Sequence, residues 1–175
     1  MKAVYEAIRA RIETECPDVA HVRVWNNQLA LMEAREQLAF NFPAVFIEFT
    51  ENEYTQLGEG IQECNGLITL HICDNFYNGD DIEENLQIFD IKTDVFKALN
   101  DWKSNTAFTS PFMRVNEVQD TEHSNVYHFI QTYAVRWQDR SALRPINGVE
   151  VEDVELVLNK EIKITSNVIK TAGSF

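Results

Sequence analysis

A chain of 175 residues with 45% apolar and 11% aromatic side chains is the size of one ordinary domain, with enough apolar surface for a single core. Its formal net charge of −13 opposes static binding to nucleic-acid phosphates, which draws on Lys and Arg. No apolar run approaches the ~20 residues of a membrane span.

The opening residues, Met1-Lys2-Ala3-Val4-Tyr5-Glu6, lack the basic-then-apolar order of a signal peptide, so the expectation is a cytoplasmic protein. The cysteines are Cys16, Cys64 and Cys73. An odd count without a C-x-x-C pair predicts buried or half-buried thiols rather than a disulfide framework. The acids are unevenly placed. From Glu36 to Ile91 there is no Lys or Arg, against twelve acids; the rest of the chain carries 16 acids and 15 bases. Nearly all the excess charge therefore comes from one third of the sequence.

Residues Val4 to Glu15 read as an amphipathic helix, with Val4, Ile8 and Ile12 on one stripe and Pro17 as its stop. His21 to Trp25 reads as a short strand with Val22 and Val24 on one face. Asn26 to Phe42 fits either a helix or a projecting hairpin, and periodicity leaves both open. After Pro43, Ala44 to Phe49 is a strong strand signal. A polar loop with Gly58 and Gly60 follows, then a strand over about Ile61 to Asp74 that forms a hairpin with its predecessor. Asp80 or Asp81 caps a helix that runs to about Trp102. Its expected core stripe is Ile82, Leu86, Phe89, Phe96 and Leu99, widened by Ile88, Val95 and Trp102. Two strands, Phe112 to Thr121 and Val126 to Gln138, are joined by a turn and pair antiparallel. From Asp139 on, the pattern changes to long extended stretches with an Asn147-Gly148 turn signal, ending in a frayed terminus.

The predicted fold is therefore α+β. A mainly antiparallel sheet carries two packed helices in the order α-β-β-β-α-β-β. Residues 1–138 form the domain and 139–175 a C-terminal extension that packs on the domain or reaches a neighbour.

Catalytic constellations are each short of a required member. There is no G-x-S-x-G elbow and no phosphate-cradling glycine loop. Leu57-Gly58-Glu59-Gly60 has no helix start behind it. Zinc prefers three or four ligands at local spacing, and neither H-E-x-x-H nor C-x-x-C occurs. His123 and His128 sit five apart across a turn. A metal site built from His71, Cys73 and His128 requires adjacent strands. Asp80-Asp81-Ile82-Glu83-Glu84 lacks the spacing and glycine of a calcium loop and reads as a cap. The pairs Glu51/Glu53 and Glu83/Glu84 are ordinary for loops and helix starts. Trp25, Trp102 and Trp137 read as core or interface anchors. No catalytic, cofactor or metal residue is assigned, and the chain is expected not to be an enzyme.

The order of elements resembles the tail terminator (tail completion) proteins of long-tailed bacteriophages and prophages. The resemblance is carried by an N-terminal helix leading into His21-Val-Arg-Val-Trp25 and Asn26-Asn-Gln28, then Phe42-Pro-Ala-Val-Phe-Ile-Glu-Phe49, then a long hairpin into Gly66-Leu-Ile-Thr-Leu-His-Ile72. The helix Leu86 to Trp102 and strands around Arg114-Val115 and Tyr133-Ala-Val-Arg-Trp137 complete it, over residues 1–138. That resemblance implies a homo-oligomeric ring, usually a hexamer, seated on the tail-tube protein and docking the head connector, in the bacterial cytoplasm and then the virion. DNA crosses its centre in transit, and an acidic lumen would repel phosphates. Glu51, Glu53, Glu59 and Glu63, in the hairpin loop, are then expected to face the lumen or a ring neighbour. Rival readings are a head-completion or other neck protein, a small metal-assisted enzyme using His71, Cys73 and His128, and an adaptor with an acidic face.

Overall fold

The computed structural model describes residues 1–33, 40–76, 82–104, 106–123 and 125–143, with the backbone alone at 33, 82 and 84. The elements are α1 (Lys2–Glu15), β1 (His21–Val24), α2 (Gln28–Glu33), β2 (Ala44–Gly58), β3 (Ile61–Asn75), α3 (Ile82–Leu99), β4 (Met113–Asp120) and β5 (Val126–Asp139). One five-stranded sheet runs β1-β2-β3-β5-β4. β1 lies parallel to β2 and every other pairing is antiparallel. The fold is α+β, as the sequence predicts, and α2 is helix within Asn26 to Phe42, the stretch open to both a helix and a hairpin; residues 34–39 of that stretch lie outside the described residues. The expected Asp80/Asp81 cap and the extension beyond residue 143 lie outside the described residues. β5 continues one residue past the expected domain limit, and Met1–Ala142 form one compact unit. Among the described residues no helix is long and apolar enough to cross a membrane.

Two faces of the sheet have different fates. Alternation puts Val45, Ile47, Ile68, Leu70, Ile72, Phe129 and Tyr133 on one face, where they form the main core with α1 and α3. α1 buries Val4, Ile8 and Ile12, the expected stripe. Its outer side carries Arg9–Glu13 and Arg11–Glu15 pairs one helical turn apart. Arg11 also donates from Nε to the Ala98 carbonyl at 3.0 Å, joining α1 to the end of α3.

α3 corrects the expected stripe. Its buried residues are Ile88, Ile91, Val95, Ala98 and Leu99, whereas Leu86 and Phe89 are 50% and 44% exposed. The spacing of three and four between 88, 91, 95 and 98 follows one helix face throughout. Ile88 and Val95, taken to widen the stripe, are at its centre, and Leu99 is buried as expected. Phe89 instead lies at the rim, edge-on to Phe129 and beneath the Lys92 ammonium.

The hairpin is also longer than expected. The polar stretch after Phe49 is strand, and β2 and β3 are 15 residues each. A bulge between Phe49 and Glu51 shifts the register. The turn is only Glu59-Gly60, with φ of 49° and 83°. Both residues at positive φ is the geometry of a type I′ turn, whose twist matches the strands it joins. At the other face, Leu29, Ala44, Phe46, Cys73 and Val126 make a smaller core beside Trp25, Met32, Phe40 and Phe42. This second face carries the site.

Candidate functional site

Four neighbouring strands each contribute one polar side chain to a cluster on the second face. They are Glu48 from β2, His71 from β3, His128 from β5 and Asp120 from β4. The ladder fixes their meeting. Asp120 stands directly opposite His128, while His71 reaches Glu48 and His128 on the diagonal, since its own partners are Phe46 and Ile130.

The result is a continuous chain of contacts. Glu48 Oε2 lies 3.0 Å from His71 Nε2, and His71 Nδ1 lies 2.9 Å from His128 Nε2. His128 Nδ1 lies 3.0 Å from Asp120 Oδ2, and His123 Nε2 lies 3.8 Å from that same oxygen. Both central rings are buried, at 6% and 2% exposure. Trp25 stacks flat on His71, with ring centroids 3.8 Å apart and planes 7° from parallel. It shields the relay from solvent on that side.

Burial sets the electrostatics. It pushes the His128 imidazole down to about 4, helped by the neighbouring His71 and opposed by Asp120. His71 is lowered for the same reason, against the pull of Glu48. The Asp120 carboxyl is held below its usual range, first by the Glu122 backbone N–H and then by His128. Cys73 is opposite His128 in register, but its thiol belongs to the apolar cluster around Phe46. Burial raises its pKa, which favours the thiol over the thiolate. All three cysteines are buried. Of the predicted set His71, Cys73 and His128, the two histidines therefore meet and the thiol does not join them. Asp120 and His123 take its place: Asp120, His123 and His128 bring ligand atoms within 4.8 Å of one another.

The four predicted acids lie elsewhere on the hairpin, three of them on strands and not in a loop as expected. Glu51 and Glu53 are on β2, Glu63 is on β3, and only Glu59 is in the turn. Register puts Glu51, Glu53 and Glu63 on the second face, where the first two line a cleft of about 520 Å³ with Leu67, Met113 and Arg136. Glu63 accepts a 3.5 Å hydrogen bond from Thr109. A hydroxyl ladder, Thr50–Thr69–Thr132, lies between that cleft and the histidines, with oxygens 2.6 and 3.3 Å apart.

Sequence reasoning missed Trp25, Glu48 and Asp120. The available signal was Asp120-x-x-His123-x-x-x-x-His128, which puts three ligating side chains around one hairpin turn. Comparison with known protein families and with curated proteins returns no match.

Proposed function

We propose that this chain is a structural ring subunit of the phage tail terminator kind, without a catalytic reaction of its own. It closes the tail tube, meets the head connector and lets DNA through a negative channel. The observation that carries the reading is the hairpin β2–β3. It is long, bears Glu51, Glu53, Glu59 and Glu63, and lies in the stretch from Glu36 to Ile91 that has no Lys or Arg. Such a surface repels phosphates, so DNA slides past without sticking.

Two further features fit an assembly subunit. The edge strand β4 exposes Met113, Val115 and Val118 at 59%, 56% and 48%, and the hairpin tip exposes Leu57 at 54%. An edge with apolar side chains is suited to a neighbouring subunit, since an unpaired strand invites pairing. The ring is tested by light scattering and electron microscopy of the purified full chain, alone and mixed with a tail-tube protein encoded beside it. A closed ring, expected as a hexamer, supports the reading. A monomer under both conditions overturns it. The lumen is tested by replacing all four glutamates with Lys, which should leave the ring intact and slow DNA ejection.

A further inference from the structure

The contact chain at the buried histidines has three short links and needs a hydrogen in each. Glu48–His71, His71–His128 and His128–Asp120 are 3.0, 2.9 and 3.0 Å long. Two neutral imidazoles supply two hydrogens and two carboxylates supply none. Let His71 donate from Nε2 to Glu48 and His128 donate from Nε2 to His71. In that arrangement the lone pair of His128 Nδ1 faces the lone pairs of Asp120 Oδ2 at 3.0 Å. His123 Nε2 stands close by, 3.8 Å from that oxygen. A buried nitrogen and a carboxylate oxygen that meet lone pair to lone pair are satisfied by a cation between them.

We propose that Asp120, His123 and His128 hold one divalent transition-metal ion of the zinc class. The distances suit it. Ligand atoms about 2.0–2.1 Å from a tetrahedral ion stand about 3.3 Å from one another, and the three here lie within 4.8 Å. Two imidazoles and one carboxylate favour zinc or a neighbouring first-row metal over calcium or magnesium, which take oxygen. The remaining chain is what a metal-bound histidine ordinarily has behind it. His128 donates its other ring hydrogen to His71, which donates to the Glu48 carboxylate. That outer shell fixes the ring and raises the basicity of the ligating nitrogen. With the ion present every link in the chain is filled.

The ion would tie the end of β4, the turn and the start of β5 into one unit. Three protein ligands leave a fourth position for water or for a donor from another chain.

The test is calorimetric titration of ZnCl₂ into the full chain stripped with EDTA, with X-ray absorption on the loaded protein. One ion per chain, bound at micromolar concentration or tighter, is expected, with two imidazoles in the absorption spectrum. His123→Ala and Asp120→Asn should each weaken binding at least tenfold, and Glu48→Gln about tenfold. His21→Ala, on a ring that packs on Phe40 away from the cluster, should leave it unchanged. Circular dichroism checks that the variants fold. The proposal is overturned by the absence of stoichiometric binding to the wild-type chain. It is equally overturned by sulfur ligation in the spectrum, or by a folded His123→Ala variant that binds as tightly as wild type.

Discussion

His71 Nδ1 and His128 Nε2 face each other at 2.9 Å between β3 and β5, under the flat ring of Trp25. A pair of imidazoles buried this close resists protonation, because a second positive charge would meet both low solvation and its neighbour.

Acid should therefore weaken the metal-free fold well above the range where carboxylates titrate. His128 is held down to about 4 in the folded chain, against about 6.5 when unfolded. As pH falls past ~6.5 the unfolded chain takes up a proton that the folded chain refuses until about 4. Stability is thus full above that interval and is lost as pH falls through it. His71, also lowered, acts in the same direction. Between pH 7.5 and pH 4.5 a shift of that size is worth about 2 kcal/mol. Urea unfolding in EDTA at pH 7.5 and pH 4.5 measures it, and equal midpoints would count against neutral buried rings.

Two alanine substitutions two residues apart should separate the real face of α3 from the face its sequence suggests. Ile88 is fully buried, so Ile88→Ala removes packed methylenes and leaves a cavity at a cost of about 2–4 kcal/mol. Leu86 is half-exposed, and Leu86→Ala should cost less than about 1 kcal/mol. Thermal or urea unfolding of both variants reads the difference.

That contrast shows what could be read from the chain. α1 was legible because Val4, Ile8 and Ile12 form one narrow stripe with nothing competing. α3 carries apolar residues on most of its circumference, and a helix of that kind does not announce which side the sheet takes. The outer half of β2 was invisible as strand because Glu51 to Gly58 is solvated on both faces and has no apolar alternation. The buried relay was half legible. His71 and His128 are adjacent only through the β3–β5 register, and Glu48 and Asp120 join from the flanking strands. Pairing across four strands is tertiary information, which spacing along a chain does not carry.

Gly66 should tolerate no side chain. The Trp137 ring lies across it, so an added Cβ would sit 2.2 Å from Cη2 and 2.3 Å from Cζ3 of that ring. Trp137 is 1% exposed and packs edge-on to Phe49, leaving the ring little room to retreat. Gly66→Ala should destabilise by about 2–3 kcal/mol. The loss should shrink when combined with Trp137→Leu, relative to Trp137→Leu alone, because the smaller side chain vacates the space. A double-mutant cycle in urea measures this coupling, and strict additivity would contradict the contact.

The hairpin tip offers a substitution that should improve the fold. Glu59 holds φ at 49° in a two-residue turn followed by Gly60, also at positive φ. Glutamate has no local hydrogen bond to support that region, whereas asparagine adopts it readily and Asn-Gly is the favoured pair for a type I′ turn. Glu59→Asn should therefore raise stability by about 0.5 kcal/mol, seen as a small increase in Tm, and remove one negative charge from the tip. Glu59→Gly should relieve the same strain but gain less, since glycine loses more freedom on folding. If the asparagine variant is more stable, the glutamate is held at the tip against local preference, and its charge is then the property to examine in the assembled ring. If Glu59→Asn is less stable than the wild type, some contact made by the carboxylate outweighs the backbone cost, and the tip acid belongs to the fold of the single chain.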